Sequence, residues 1–429
     1  MAIHLAGVGL LLVAFVLATV LPLNLGALAL AATFVVGLLV SGTDADTIFA
    51  QFPGNLFVVL VGVTFLFNVA SANGTIGWLV SATTRFVRGR VLVVPWMMFL
   101  LAGLFSAIGA LYAVPMVAPI ALDFARRNRI PILLMGLMVM HGWAAGALSP
   151  ISVYGILVGE LLASNQLPID RGGMFAIGAC TNVVIALVVF GVHAARRSLR
   201  VPVGQGAVAR PAGGGDPADA ENEAGGPSEP SPRFSATTAL TLLAIALLVM
   251  AGVFFRTDIG LLAVSLAVLL GLLRPADQKK ALSDVPWSVV MLVCGIVTYI
   301  GLLKHLGTLD LVGELADQAA APPLAILLIC YMAAVVSAFA SSTGVIAAVV
   351  PILIPILAGS GVGATVAAAA VGVSATIVDV SPLSINGAIV MASSPERERT
   401  AIFRSLLGYG GAMVVFGPLL IWAVTVLPS

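Results

Sequence analysis

The sequence is poor in charged residues. Asp, Glu, Lys and Arg make up only 9% of its 429 residues, whereas soluble proteins carry about 25%. Because 60% of the residues are hydrophobic, the polar side chains are too few to cover a surface in water. This excludes a soluble enzyme, a nucleic-acid-binding protein and a secreted scaffold. The sequence predicts an all-α polytopic membrane protein of the cell (inner) membrane.

Motifs for several kinds of chemistry are also lacking. The sequence has no GxxxxGK[ST] phosphate loop, no HExxH zinc motif and no GxSxG nucleophile elbow, which argues against nucleotide hydrolysis and against an intramembrane enzyme. The three cysteines, Cys180, Cys294 and Cys330, lie in apolar runs and are typical of packing residues. No organic cofactor is expected. A channel is a remote alternative, since few polar residues could line an open path.

One segment differs from the rest and divides the chain. Residues 204–233 are rich in Gly and Pro and contain almost no large apolar side chain, which predicts a disordered linker at 201–235. The flanking halves, 1–200 and 236–429, resemble each other. Residues of the first half recur in the second at offsets of 232 to 236: Gly26 at Gly260, Pro53 at Pro286, Gly62 at Gly295, Ser106 at Ser342, Pro115 at Pro351, Ser149 at Ser381, Pro150 at Pro382 and Ser152 at Ser384.

Each half is predicted to contain five membrane spans and one re-entrant hairpin. The apolar runs of the first half that are long enough to cross lie near 5–22, 25–41, 54–73, 132–162 and 172–195. The run at 91–125 is interrupted by Gly and Pro, and arms of about 15 residues are too short to cross. Its counterpart is 322–358. Since five is an odd number of crossings, the second half is expected to be inverted in the membrane.

The distribution of basic residues fits this topology. With the linker in the cytoplasm, all but three of the 20 Lys and Arg residues fall on the cytoplasmic side, as the positive-inside rule requires. The three on the outside are Arg171, Arg256 and Lys304. Both termini are then outside.

Two of the predicted spans, 132–162 and 363–391, are broken by a proline near the middle. Backbone freed by proline at membrane depth survives where it lines a cavity, and equivalent breaks in both halves favour a binding site over simple kinks. The hairpin tips add hydroxyl groups that could bind an anion or pack helices. The predicted substrate-binding residues are Ser106, Ser149, Pro150, Ser152, Ser341, Ser342, Thr343, Ser381, Pro382, Ser384 and Asn386.

Asp379 is the acidic residue expected farthest from both membrane surfaces. A carboxylate there costs about 3 kcal/mol unless it is paired or protonated, so it is a candidate cation ligand or proton carrier; a structural acid is the alternative. His141 is interpreted as a satisfied neutral histidine rather than a proton relay. No Lys or Arg lies at depth, so an anionic substrate requires a bound cation, and oxygen-rich groups suit Na⁺. The predicted cation-binding residues are Ser106, Gly146, Ser342, Thr343, Gly344 and Asp379.

These motifs resemble those of the ion-transporter superfamily, close to the divalent anion/Na⁺ symporters. The first half particularly resembles the malonate/dicarboxylate carriers of the MatC type. The family's Ser-Asn-Thr hairpin tip, followed by Pro, is similar to Ser341-Ser342-Thr343 with Pro351, and its Thr-Pro breaks are similar to Ser149-Pro150 and Ser381-Pro382.

The resemblance implies a secondary active transporter. It implies Na⁺-coupled symport of a small dicarboxylate, with malonate favoured, by an elevator mechanism in which a transport domain moves against a scaffold. The scaffold would form a homodimer surrounded by membrane lipid. H⁺-coupled organic anion transport through Asp379 remains the alternative.

Overall fold

A computed structural model describes residues 2–21, 23–85, 93–110, 113–198, 234–254, 258–308, 311, 322–338 and 342–429. These residues form nineteen α-helices and no strand, which confirms the all-helical prediction. The predicted linker, 201–235, lies almost entirely outside the described residues, as does Ser341.

The first half contains α1 (Ala2–Val20), α2 (Leu25–Thr33, continued by the π-helical segment Phe34–Val40), α3 (Ala45–Ala50), α4 (Gly54–Ala72), α5 (Thr75–Arg85), α6 (Val94–Ala107), α7 (Ala113–Arg127), α8 (Ile132–Gly146), α9 (Val153–Ser164) and α10 (Arg171–Ser198). The second half contains α11 (Ala236–Phe254), α12 (Ile259–Leu273), α13 (Pro275–Ser283), α14 (Trp287–His305), α15 (Pro322–Ser337), α16 (Ser342–Ser360), α17 (Ala364–Thr376), α18 (Ile385–Ala392) and α19 (Glu396–Thr425).

The helices recur at nearly constant spacing in the two halves. Helices α11 and α12 begin 234 positions after α1 and α2, and α14 begins 233 positions after α4. Helices α17 and α18 begin 232 positions after α8 and α9. The spacing equals the offsets at which Gly, Pro and Ser recur in the sequence, so the repeated residues occupy repeated elements.

Two glycine crossings join the halves. A Cβ on Gly26 of α2 would overlap the Met291 carbonyl of α14, and one on Gly295 would overlap the Gly26 carbonyl. In the other crossing, a Cβ on Gly62 of α4 would meet the carbonyl oxygen of Gly260 on α12. Gly26 and Gly62 are the counterparts of Gly260 and Gly295. The first crossing therefore pairs α2 with α14, and the second pairs their counterparts α12 and α4. A two-fold axis that relates the halves produces this arrangement.

Each predicted hairpin is a pair of helices, α6–α7 and α15–α16. Ser106 is the last residue but one of the first arm, whereas Ser342 is the first residue of the second arm. The alignment of these two serines at an offset of 236 was therefore wrong in three dimensions. The position of Ser106 is matched more closely by Ser337, which ends α15. Segments rich in Ala, Val and Pro align at several offsets, so the matching prolines did not determine the correct alignment of the two hairpins.

Apolar surface surrounds the described helices. Five of them are long and apolar enough to cross a membrane: Gly54–Ala72, Arg171–Ala195, Trp287–His305, Ala364–Ala392 with its interruption, and Glu396–Thr425. Most of α10 and α19 is unburied, and large apolar side chains such as Leu187, Val188, Phe416 and Leu420 are exposed. Such helices are stable facing lipid.

Candidate functional site

The first predicted broken span is interrupted between α8 and α9. The Ser152 hydroxyl donates to the carbonyl oxygens of Ala147 and Ser149, at 2.8 Å for the latter, and accepts the Gly155 N–H at 3.1 Å. It thus caps α9 and satisfies backbone groups freed by the break. Gly155 is required because a Cβ there would overlap the Ser149 carbonyl oxygen.

The second break repeats this arrangement between α17 and α18. After a 3₁₀ turn at Ile377–Val380, the Ser384 hydroxyl donates to the carbonyl oxygens of Asp379 at 2.5 Å and Ser381 at 2.8 Å. It accepts the Gly387 N–H at 3.2 Å. The single O–H and one of the two lone pairs of Ser152 and Ser384 are used by the break, so both hydroxyls hold its shape in this conformation.

A cavity of about 350 Å³, called the main cavity, lies beside both breaks. It is lined by residues of the first half (Phe15, Ala18, Leu23, Asn24, Leu25, Pro115, Trp143 and Tyr154) and of the second half (Ser288, Val289, Leu292, Ser342, Thr343, Gly344, Val345, Asp379, Ile385 and Asn386).

Six helices present their N-terminal turns to the main cavity. Residues from the first turns of α2, α7, α9, α14, α16 and α18 line it: Leu25, Pro115, Tyr154, Ser288, Ser342 and Ile385. Side-chain oxygens of Asn24, Ser152 and Ser384 cap three of these ends, and the N-terminal end of a helix carries about half a positive charge. These ends give the main cavity a source of positive potential although neither Lys nor Arg lines it.

Asp379 supplies the one charged side chain among the lining residues. It is 7% exposed and lies close to the side chains of Ser342 and Tyr154. Ser342 also shares a hydrogen bond with Ser337 at 2.6 Å between hydroxyl oxygens and donates to the Ala375 carbonyl at 3.2 Å. A carboxylate, two hydroxyls and a carbonyl oxygen thus gather at the start of α16, an oxygen-rich set of the kind that binds Na⁺ at broken helices.

Tyr154 joins the two halves across the main cavity. Its hydroxyl accepts a hydrogen bond from Thr343 at 3.3 Å, and its ring meets that of Trp143 edge-on, with centroids 5.9 Å apart. Tyr154 and Asn386 are the second residues of α9 and α18, and thus equivalent positions in the repeat.

The described residues at the tip of the first hairpin enclose little free volume. A space of about 10 Å³ remains there, lined by Ser106, Ser152, Trp143 and Tyr154 among others. Gly146 is packed against the first arm, since a Cβ on it would overlap the Gly103 carbonyl oxygen. Ser106 and Gly146, both predicted cation ligands, therefore lie in a tightly packed contact of α6 with α8.

The predicted site residues thus separate into groups. Ser342, Thr343, Gly344, Asp379 and Asn386 line the main cavity. The others in the described part of the chain lie in the breaks or at the first tip: Ser106, Gly146, Ser149, Pro150, Ser152, Ser381, Pro382 and Ser384.

Sequence reasoning missed three polar contributors, Tyr154, Asn24 and Ser288. Tyr154 follows the predicted Ser152 by two positions, which was an available signal. Asn24 caps α2 by accepting from the N–H groups of Gly26 and Ala27, and it donates to the Ser288 carbonyl at 2.7 Å. Its place between two apolar runs was a capping signal, but nothing in the sequence links it to the second half.

His141 lies outside the main cavity in a closed hydrogen-bond network. Its Nδ1 is 3.0 Å from Asn182 Oδ1 and its Nε2 is 2.8 Å from the Tyr409 hydroxyl. Because the Asn182 amide donates to Gly178, its oxygen is free to accept from His141. Both ring nitrogens of a neutral imidazole are satisfied, in agreement with the interpretation as a structural histidine.

The described helices form the fold of a polytopic membrane protein, and solved structures share this fold. The crystal structure of the YdaH transporter from Alcanivorax borkumensis is similar, with a TM-score of 0.59 and 15% identity over 90% of this chain and 89% of that one. The structure of MtrF from Neisseria gonorrhoeae, which represents a class of antimetabolite efflux pumps, is also similar. It has a TM-score of 0.56 and 12% identity over 89% of this chain and 83% of that one. At these identities the likeness establishes the fold.

The family match comes from the N-terminal third. Residues 1–147 match the model of the dicarboxylate carrier protein MatC N-terminus, which confirms the resemblance seen in the sequence over that region. No curated protein gives a significant match. The carrier-family match and the transporter fold together support a secondary transporter, and the matched proteins are transporters rather than enzymes.

Proposed function

We propose that the protein is a Na⁺-coupled symporter of a small dicarboxylate, with malonate as the favoured substrate. The observation that carries the proposal is the composition of the main cavity: six helix N-termini, one carboxylate and neither Lys nor Arg. Helix N-termini attract the anion. Asp379 repels it until a cation or a proton occupies the carboxylate, and this requirement couples the two.

The size of the main cavity favours a short substrate. At about 350 Å³ it lies near the lower end of small-molecule sites, which run from about 300 to 1,000 Å³. The name of the matched family supplies the substrate class, a dicarboxylate. Malonate is the shortest dicarboxylate with a carbon between its two carboxylates.

We propose an elevator of two inverted repeats as the moving machinery. The exchange of the halves at the two glycine crossings supports a two-fold relation, and the predicted odd number of spans supports inversion. Helices α2, α4, α12 and α14 would form the scaffold, since they are joined backbone to backbone. The hairpins and broken helices would form the transport domain. A scaffold homodimer in the inner membrane, with the linker inside and both termini outside, completes the proposal.

Uptake by proteoliposomes tests the proposed function. Purified protein is reconstituted, and entry of labelled malonate is measured with an inward Na⁺ gradient, with an equal K⁺ gradient and with no gradient. Accumulation only with Na⁺ is expected. Uptake that is the same in all three conditions contradicts the coupling, and an absence of malonate uptake in every condition contradicts the substrate.

The position of Asp379 supports a second candidate, H⁺-coupled organic anion transport. Its carboxylate lies beside the hydroxyls of Ser342 and Tyr154, so it could carry a proton in place of Na⁺. A pH gradient applied without Na⁺ separates the candidates. Accumulation driven by that gradient and lost in Asp379→Asn supports the proton, whereas accumulation that needs Na⁺ at every pH supports the symporter with Na⁺.

A further inference from the structure

A second cavity, of about 690 Å³, lies at the other end of α14. The main cavity contacts the beginning of this helix at Ser288–Leu292, and the second cavity contacts its end at Val297–His305. With 19 residues and about 1.5 Å per residue, α14 is long enough to cross the hydrocarbon. The two cavities therefore lie toward opposite sides of the proposed membrane.

The second cavity is bounded by three segments. These are residues 50–56 from the end of α3 into the start of α4, the end of α9 with the following Asn165, and the last turns of α14. By the predicted topology all three lie at the outer side of the membrane. In the proposed elevator α9 belongs to the transport domain and α14 to the scaffold, so the second cavity is the outer cleft between the moving and the static parts.

The charge in the second cavity is carried by Lys304. Its ammonium donates to the Ser164 carbonyl oxygen at 2.5 Å, and no carboxylate of the described residues lies within 4.0 Å of it. The one acidic lining residue, Glu160, is neutralised by Arg171, at 2.9 Å between Oε1 and the guanidinium. A residual positive charge therefore remains, beside the amide side chains of Gln51, Asn55 and Asn165.

We propose that the second cavity is an outer receiving site for the dicarboxylate, in which Lys304 attracts the doubly charged anion before it reaches the main cavity. The inference rests on the proposed function. It assigns the long-range attraction to the side chain of Lys304 and the tight binding to the helix N-termini of the main cavity. Because the second cavity lies at the predicted outer membrane surface, its attraction should be screened by salt, with a Debye length of about 30 Å at 0.01 M and about 8 Å at 0.15 M.

A purely structural role for Lys304 makes a different prediction. Lys304 lies in the last turn of α14, where a cation stabilises the helix C-terminus, and its bond to Ser164 links the scaffold to α9. If Lys304 served only these purposes, its loss would lower the maximal rate or the amount of folded protein. The KM for substrate would then not respond to ionic strength.

Substrate uptake by cells at varied ionic strength tests the inference. Na⁺ is held constant and choline chloride is added, for the wild type, Lys304→Gln and the matched control Lys304→Arg. Gln removes the charge but keeps a donor for Ser164, and Arg keeps the charge. At low ionic strength we expect KM to be about threefold to tenfold higher in Lys304→Gln than in the wild type and to stay near the wild-type value in Lys304→Arg. Added salt should reduce the difference between Lys304→Gln and the wild type toward zero.

Glu160→Gln provides a test of opposite sign. It leaves Arg171 unpaired and adds positive charge to the cleft, so KM at low ionic strength should fall below the wild-type value. If the KM of every variant equals that of the wild type at all salt concentrations, the receiving site is refuted while wild-type uptake still stands. If the wild type itself takes up no dicarboxylate, the proposed function fails instead.

Discussion

The two halves share one scaffold but differ in the space that they leave beside their breaks. In the second half Asp379 lines the main cavity of about 350 Å³, whereas its counterpart in the first half is Ala147, and the space at the first hairpin tip is about 10 Å³. Trp143 and Tyr154 fill the volume that a ligand would need at Ser106. Among the described residues this leaves one ligand-sized cavity beside the breaks, lined by both halves, and a first hairpin tip closed by aromatic rings.

What the halves have in common is the device that shapes the break. The hydroxyls of Ser152 and Ser384 each donate to two carbonyls and accept the N–H three residues further on. Both halves thus satisfy the backbone of the broken helix with the same serine hydrogen bonds, whereas the side chains around the two breaks differ.

Removal of the charge that distinguishes the halves should have the largest effect. Asp379→Asn takes away the one carboxylate of the main cavity, and a hydrogen bond to a charged group is worth about 1.5–3 kcal/mol. We expect Na⁺ affinity to fall by roughly tenfold to a hundredfold, measured as the Na⁺ concentration for half-maximal uptake. Asp123→Asn, which removes a carboxylate paired with Arg126 at the end of α7, is the control and should leave it unchanged. Equal effects of the two substitutions would refute the role of Asp379.

Opening of the closed tip should change substrate preference. Trp143→Phe removes part of the ring that separates the main cavity from Ser106, so it should admit a longer dicarboxylate such as succinate. One methylene in an apolar pocket is worth about 1–3 kcal/mol, and we expect the preference for malonate over succinate to fall by roughly tenfold in competition assays. A preference that does not move would show that Trp143 does not limit the length of the substrate.

The hydroxyls at the two hairpins should differ in importance. Ser342→Ala removes a hydroxyl beside Asp379 and should weaken substrate or Na⁺ binding by about twofold to tenfold, the range of one neutral hydrogen bond. Ser106→Ala should have no effect on either apparent affinity because the space beside it, in the described part of the chain, is only about 10 Å³. Both are measured by uptake titrations. A larger effect at Ser106 than at Ser342 would reverse the assignment of the working site.

The shared break should respond equally in both halves. Ser152→Ala and Ser384→Ala each remove an N-cap, which costs about 1 kcal/mol of stability. Thermal unfolding in detergent should show similar losses for the two variants. A loss confined to Ser384→Ala would mean that the breaks are not equivalent and that Ser384 has a further role.

The sequence was sufficient to predict which segments are helical and where two of them are interrupted. Long apolar runs leave few alternatives for a backbone in lipid, and proline beside serine marks a break. It also identified Asp379, Ser342 and Thr343, because polar groups are rare in such runs.

The composition of the main cavity could not be predicted. Asn24 and Ser288 are 264 positions apart and meet only because α2 crosses α14 at Gly26 and Gly295. The role of Trp143 depends on which residues its ring contacts, and apolar composition does not specify packing partners. The register of the hairpins failed for a related reason, since small apolar residues align at several offsets.

The glycine crossings have a consequence for assembly. Where main chain lies directly on main chain, side chains cannot rearrange to let one helix slide along the other, so any movement during a cycle must take place elsewhere. Because of the same glycine crossings, neither half can bury α2 or α4 without the other half. Two fragments cut within 201–235 and produced together should therefore find each other and reconstitute a working protein, although each alone would be degraded.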